Sequence, residues 1–376
     1  MMSSYIVEAI MSSPKQRISY ADYMNLALYD EKNGYYMKEG DKIGRTGDFY
    51  TSIHVSDVFG KLFASLFIQL VEAGKIPPCI CELGGGDGKF AHAVLTEWKK
   101  ASATFEQLTY IIIDTSPYQR KKQQQTLADF PQHVIFYKGL DDFRKQRSSF
   151  SGIVFSNEFF DALPVHVITS ERGQLYELFV TVKDGRLQEE KQPLENEAIF
   201  AYLRERNIVL TEEQRLEVPL AMKAFLFDHA SFFDRCVMFT VDYGYTDEEW
   251  EQLPRRGGSL RGYYHHQLIA NPLAYPGEMD ITSHIPWDAL RVYGKQAGWE
   301  WVQTIRQDRF LLAAGILDYL VAHHDPNPFS EQSRRNRAIR SLITDEGISS
   351  AFHVMIQQKG VQVDWDAMWK EPQFLK

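Results

Sequence analysis

Cysteine is scarce in this 376-residue chain, which has only Cys79, Cys81 and Cys236. Their number and spacing supply neither a disulfide framework nor a C-x₂-C zinc site, and they point to a reducing compartment, the cytoplasm. Long apolar runs are missing too. Nothing approaches the roughly 18 consecutive apolar residues of a bilayer span. The most apolar stretch, Phe59 to Val71, is broken by Lys61, Ser65 and Gln69, as suits a helix with one face on a core. Met1 to Pro14 lacks a positive n-region and carries Glu8, which speaks against a secretory signal. There is no surplus of positive charge. Lys+Arg 41 against Asp+Glu 50 gives −9, which argues against a surface that grips nucleic acid or anionic lipid, so no nucleic-acid partner is expected, and without an apolar span neither is membrane insertion. The histidine pairs His265-His266 and His323-His324 are adjacent in sequence, and neither strand nor helix geometry aims neighbours at one metal, so no metal site is expected.

What remains is ordinary globular composition, with 44% hydrophobic and 24% charged residues. Its pattern divides the chain. Residues 1–75 read as an N-terminal helical cap, with Ser19 capping a helix over Tyr20 to Leu28, followed by a glycine-bearing site loop around Gly40 to Ser52. From residue 76 the rhythm is strand, turn, helix: Cys79 to Leu83, Leu108 to Ile113, Val134 to Tyr137 and Gly152 to Ser156 as strands, with helices at Phe90 to Trp98 and Ser116 to Phe130. Such alternation predicts βαβ units and a parallel sheet, an α/β fold of Rossmann-like type. Residues 165–235 interrupt it as an inserted β-hairpin and helical subdomain, with Lys183-Asp184-Gly185 as the hairpin turn. Cys236 to Asp242 then resumes the sheet. Trp299 to Ile305 with Phe310 to Gly315 reads as a final strand pair, after a second insertion at about 245–295. The core thus runs over 76–315. Residues 316–376 read as a helical C-terminal tail.

Two segments carry chemistry. Glu82-Leu83-Gly84-Gly85-Gly86-Asp87-Gly88 lies directly between a strand and a helix, where glycines let the backbone turn tightly and approach a ligand without a Cβ in the way. Asp114 ends the next strand, where an acid accepts hydrogen bonds from ribose hydroxyls in Rossmann-type folds. A dinucleotide fingerprint fits less well: the frame starting at Gly84 puts Lys89 where a small residue belongs, and no P-loop sequence occurs. The second segment, Asn157-Glu158-Phe159-Phe160-Asp161-Ala162-Leu163-Pro164, follows the fourth strand. Carboxylates beside aromatics are poor core material, since an unpaired buried carboxylate is costly; they suit a cationic guanidinium or ammonium group. Asp242-Tyr243-Gly244 ends the resumed strand near the same cleft. In Asp280-Ile281-Thr282-Ser283-His284, a loop before the helix at Trp287, Asp280 reads as a cap and His284 as a group that titrates usefully.

At these residues, together with Ala27-Leu28-Tyr29, Gly34-Tyr35-Tyr36 and Gly47-Asp48-Phe49-Tyr50-Thr51-Ser52, the chain resembles the MidA-like S-adenosylmethionine-dependent methyltransferases. The motifs fall in order over about residues 18–315. The resemblance implies a class I methyltransferase core with S-adenosylmethionine as cofactor, and, from the family's mitochondrial branch, arginine on a protein substrate as the methyl acceptor. It implies a cofactor site at Gly84, Gly86 and Asp114, with Glu82, Asp87, Asn157, Gly47 and Thr51 as further candidates. Asp48, Asn157, Glu158, Asp161 and His284 are then candidates for acceptor binding and catalysis. The family commonly has proline at the position of Gly85 and arginine at that of Asp87, so this turn is more acidic. Beyond about residue 316 no resemblance is visible. A small-molecule or RNA methyltransferase and a non-catalytic cofactor-binding assembly factor are the alternatives.

Overall fold

The computed structural model describes residues 4–40, 57–323, 325, 327–344 and 351–375. Helix α1 (Ser4–Ser12) leads through β1 (Arg17–Ser19) into α2 (Tyr20–Tyr29), whose first turn is closed by the Ser19 side chain accepting from the Asp22 amide. The next helix, α3 (Val58–Glu72), buries Phe59, Phe63 and Phe67. Then β2 (Cys79–Leu83), α4 (Lys89–Ala101), β3 (Thr109–Ile113), α5 (Pro117–Thr126), β4 (Val134–Tyr137), α6 (Leu140–Gln146) and β5 (Phe150–Asn157) alternate as their apolar runs predict. The four strands pair in parallel in the spatial order β5-β2-β3-β4. Strands covered on both faces lose the alternation of a half-buried strand and read as continuous apolar runs, which is why this part of the sheet is legible in sequence.

The chain then leaves the sheet. β6 (His166–Glu171), β7 (Gln174–Lys183) and β8 (Arg186–Pro193) build an antiparallel layer, with Asp184 and Gly185 turning at φ 50° and 69°. After α7 (Glu197–Arg206), β9 (Arg215–Val218) joins β6, while β1 of the N-terminal cap pairs with β7. The insertion is therefore a five-stranded sheet shared with the cap. Following α8 (Leu220–Asp228), β10 (Phe233–Tyr245) returns to the main sheet parallel to β5. A short α9 (Asp247–Trp250) precedes a small three-stranded sheet of β11 (Arg261–Tyr264), β12 (Gln267–Ile269) and β13 (Asp280–Thr282). β14 (Ile285–Pro286) touches the end of β10, and α10 (Trp287–Gln296) leads to β15 (Glu300–Arg306).

The last part differs from the sequence expectation in two ways. Phe310 to Gly315 is no strand; most of it belongs to helix α11 (Gln307–Ala313). Nor do residues 316–376 form a helical tail: after α12 (Glu331–Ser341), β16 (Phe352–Lys359) runs between β10 and β15, antiparallel to both. The physical reason is backbone satisfaction. The inner edge of β10 is buried, and Tyr243 back to Cys236 find their ladder partners in Phe352 to Lys359. The segment was hard to read because Gln357 and Gln358 interrupt its apolar pattern, yet both are buried.

On one face of the sheet, aromatic rings pack between α3, α4 and the strands. Phe90 stacks on Phe155 at 4.0 Å between centroids and 6° between planes, and Phe63 lies against both Phe155 and Phe310. Chain order reverses between β2 and β5: from β2 the chain adds β3 and β4 on one side, and later β5 and β10 on the other. Clefts form at such a switch, beyond the carboxyl ends of the strands.

Candidate functional site

A cleft of about 550 Å³ opens at that place. Its floor is the turn after β2. Gly84, Gly86 and Gly88 have φ of 73°, 50° and 82°, a region that side chains with a Cβ rarely adopt. Gly85 is required for space instead, because a Cβ there would lie 2.6 Å from Ile112 Cγ2. The turn is fastened to its neighbours. The Gly84 amide donates to Ile113 O at 2.9 Å, and Gln123 Nε2 donates to both Gly86 O (2.9 Å) and Asp114 Oδ2 (2.8 Å). Gln123 therefore ties the glycine turn to the acid that ends β3. Sequence reading had no handle on it, since a glutamine in a run of glutamines on α5 carries no motif.

Glu82 and Asp114 both line the cleft. Glu82 accepts from the Tyr110 hydroxyl at 2.8 Å, and burial pushes its carboxyl up to about 8. Asp114 accepts from the Ser116 amide at 2.9 Å as well as from Gln123; burial pushes it up to about 6 against those hydrogen bonds. Asp87 borders the cleft, but its carboxylate turns to the start of α4, accepting from the Lys89 amide (3.2 Å) and pairing with Lys89 Nζ (2.7 Å). Gln119, also lining the cleft, presents a buried Oε1 with no hydrogen-bond partner among the described residues.

The second motif closes the other side. Asn157 ends β5, Glu158 adopts φ 52°, and the Glu158 amide donates to Val241 O at 2.9 Å. A left-handed glutamate is costly, and such strain persists where surrounding structure imposes it. Asn157 Nδ2 donates to Glu158 Oε1 at 3.0 Å. Burial, with Asp161 and Asp280 nearby, drives the Glu158 carboxyl well above the usual range. Asp161 is only 2% exposed. Its Oδ2 accepts from the Tyr243 hydroxyl, while Oδ1 has no hydrogen-bond partner among the described residues. Burial pushes it up to about 6, opposed by Tyr243, loop amides and Arg261.

The cap reaches into this end. Tyr29 and Tyr36 line the cleft; Tyr29 donates to Ala162 O at 3.0 Å and Tyr36 to Asp280 Oδ1 at 2.6 Å. Asp280 is the first residue of β13 rather than a helix cap, because the segment pairs with β11. The Ser283 amide donates to Asp161 O at 2.9 Å, tying that strand to the loop.

His284 does not join the cleft. It packs against the Tyr243 and Tyr245 rings at 5.1 and 4.3 Å, its Nε2 meets Arg261, and burial followed by Arg261 and Arg255 pushes it down to about 3. The expectation of a usefully titrating histidine is thereby corrected: half-buried and beside two guanidinium groups, the ring is held neutral. Gly47, Asp48 and Thr51 lie outside the described residues. Asn157, Glu158, Asp161, Glu82, Gly84, Gly86, Asp87 and Asp114 come together around one cleft.

A parallel sheet with a glycine turn after one strand, an acid at the end of the next and a carboxylate loop at the switch point defines a Rossmann-like nucleotide-cofactor enzyme of the class I methyltransferase type. The chain belongs to the family described as "Putative S-adenosyl-L-methionine-dependent methyltransferase", whose model matches residues 62–305. It is similar to a crystal structure of a COG1565 superfamily member from Burkholderia thailandensis bound to S-adenosyl-homocysteine, at 28% identity and TM-score 0.85, over 96% of this chain and 92% of that one. That coverage is too large to leave out the segment beyond residue 316, where no resemblance was visible in sequence. Among curated proteins it is similar to "Protein arginine methyltransferase NDUFAF7 homolog, mitochondrial" of Drosophila melanogaster, at 27% identity over 75% of this chain and 67% of that protein. It is likewise similar to the mouse protein arginine methyltransferase NDUFAF7, at 26% identity over 80% of this chain and 71% of that protein. The chain is an S-adenosylmethionine-dependent methyltransferase.

Proposed function

We propose that the methyl acceptor is a protein arginine. The observation that carries this reading is Asp161 Oδ1, a buried carboxylate oxygen without a hydrogen-bond partner among the described residues, at the tyrosine-lined, acid-rich end of the cleft. A neutral donor could supply a hydrogen bond to that oxygen but no charge, whereas a guanidinium satisfies a carboxylate both by charge and by planar donor geometry. The names of the Drosophila and mouse relatives support the same acceptor.

The residues of the cleft fit S-adenosylmethionine. Gly84 and Gly86 present backbone without side chains, Asp114 sits where ribose hydroxyls donate, and the unpartnered Gln119 Oε1 offers a further acceptor. The cofactor, when bound, supplies a methyl group on an electrophilic sulfonium. The protein's own part is to orient the acceptor and manage its proton. Asp161 and Glu158 would hold the guanidinium, with Asn157 fixing Glu158 through its 3.0 Å hydrogen bond. A guanidinium nitrogen that gains a methyl must shed a proton, and Asp161 Oδ1 is the oxygen placed to take it. Tyr29, Tyr36 and Phe159 wall the cleft and exclude water around the reacting groups.

Isothermal calorimetry with S-adenosylhomocysteine, and transfer of labelled methyl to arginine-bearing protein, test the reading. Gly86→Val is expected to abolish cofactor binding, since valine resists φ near 50°. Glu158→Ala is expected to keep cofactor affinity and lose methyl transfer by about 100-fold or more. Full transfer by Glu158→Ala would remove the carboxylate from the mechanism. Placement in the cytoplasm belongs to the same proposal and is supported by three free, buried thiols, Cys79, Cys81 and Cys236; cell fractionation checks it.

A further inference from the structure

Asp161 sits on a loop, and a carboxylate turns broadly about its terminal torsion unless something holds it. Two consecutive residues at the end of β10 hold it at both ends. Asp242, fully buried, accepts from the Phe160 and Asp161 amides through Oδ2 at 3.2 and 3.3 Å, which fixes the loop backbone. Asp242 Oδ1 accepts from the Tyr243 amide at 2.9 Å, and the Tyr243 hydroxyl donates to Asp161 Oδ2. Tyr243 has little freedom of its own. Its ring meets Phe352 of β16 edge-on at 5.3 Å, meets His284 at 5.1 Å, and has the Arg261 guanidinium 5.6 Å from its centroid. With Oδ2 engaged, Oδ1 of Asp161 remains, buried and without a hydrogen-bond partner among the described residues.

We infer that Tyr243 is a positioning residue of the acceptor site: by holding Asp161 Oδ2 from beneath, it keeps Oδ1 aimed into the cleft for a planar cation of the guanidinium class. The inference rests on the arginine reading above. A phenol that merely braced the core would contribute to stability and to nothing else, and the two roles separate by experiment. The charged or titratable groups around Asp161 include Asp242 and Tyr243 of β10, Arg261 and Tyr263 of β11, Asp280 of β13, Glu158 of its own loop, and Tyr29 and Tyr36 of the cap. Removing the phenol deletes a hydrogen bond that lowers the Asp161 pKa. The carboxylate should then ionise at higher pH.

The test titrates methylguanidinium, followed by NMR, into full-length protein saturated with S-adenosylhomocysteine, across a pH range that brackets Asp161. Wild type, Tyr243→Phe and Asp161→Asn are compared. Tyr243→Phe is expected to keep its S-adenosylhomocysteine affinity, to bind methylguanidinium about tenfold more weakly near neutrality, to show its binding midpoint at higher pH, and to recover as pH rises. Asp161→Asn should not bind the probe at any pH. If Asp161→Asn loses binding while Tyr243→Phe matches wild type in affinity and midpoint, the inference is overturned and the arginine reading stands. If Asp161→Asn binds like wild type, both fall. A loss of S-adenosylhomocysteine binding in Tyr243→Phe as large as its loss of methylguanidinium would make Tyr243 a brace of the fold and likewise overturn the inference.

Discussion

Buried carboxyls dominate this molecule at the scale of single residues. Glu82 is 3% exposed and its folded pKa lies near 8, against 4.5 for an unperturbed glutamate. In the window between those values the folded protein holds a proton that the unfolded chain has released, so stability falls as pH rises through it and levels off above the folded value. In ligand-free protein, urea midpoints should therefore decline from about pH 5 to pH 8, and Glu82→Gln, which keeps an acceptor for the Tyr110 hydroxyl, should flatten that decline by an amount on the order of a few kcal/mol. An unchanged slope in Glu82→Gln would assign the effect elsewhere. Sequence placed Glu82 and Asp114 at the ends of adjacent strands and read them as ligands. It gave no sign that Tyr110 and Gln123 engage them first, because those partners are 28 and 9 residues away. It also placed Asp242-Tyr243 near the cleft without distinguishing a residue that touches an acceptor from one that holds the residue that does.

At the scale of elements, legibility followed burial on two faces. β2 and β3 are apolar almost throughout and β5 has an apolar centre from Ile153 to Phe155, so their strands and the βαβ order could be read directly. β16 could not. Gln357 and Gln358 are buried polar residues, and Gln358 is kept satisfied by partners outside its strand, donating to Glu300 Oε2 at 3.1 Å and accepting from Trp365 Nε1 at 3.0 Å. No local pattern announces such bonds. The strand exists because β10 and β15 each leave an edge that it completes. The aromatic layer under the cleft offers a sharper test of packing. Phe63 is fully buried and lies within 6 Å, centroid to centroid, of Phe59, Phe67, Phe90, Phe155, Phe239 and Phe310. Phe63→Ala should cost about 3–5 kcal/mol of stability in chemical denaturation, since rings on so many sides cannot collapse into the space left. A loss below about 1 kcal/mol would mean that this layer repacks freely.

For the whole molecule, the decisive arrangement is the joining of cap, insertion and core around one opening. The cap donates β1 to the inserted sheet, Tyr29 to the acceptor loop and Tyr36 to Asp280, and it accepts from Ser116 Oγ through Tyr36 O at 2.6 Å. Tyr36→Phe removes a hydroxyl at the acceptor end and leaves the glycine turn alone. It should preserve S-adenosylhomocysteine affinity within about twofold while weakening methylguanidinium binding several-fold; equal losses of both would show that the cap closes over the whole cleft rather than over its acceptor end. No helix among the described residues is long and apolar enough to cross a membrane. Mass spectrometry of arginine methyl marks in cells with and without the protein would name the substrate.

The sequence by itself determined the parallel core, the glycine turn and the acids at the strand ends, because each is local: a strand's apolar run, a turn's need for positive φ, a motif of consecutive residues. Tertiary structure alone decided that β16 completes the sheet, that His284 packs beside Arg261 while Asp161 Oδ1 has no partner among the described residues, and that Tyr243 holds the other oxygen of Asp161. These outcomes depend on which distant backbone edges and side chains are left unsatisfied when the elements assemble, a condition that appears only after the chain has folded.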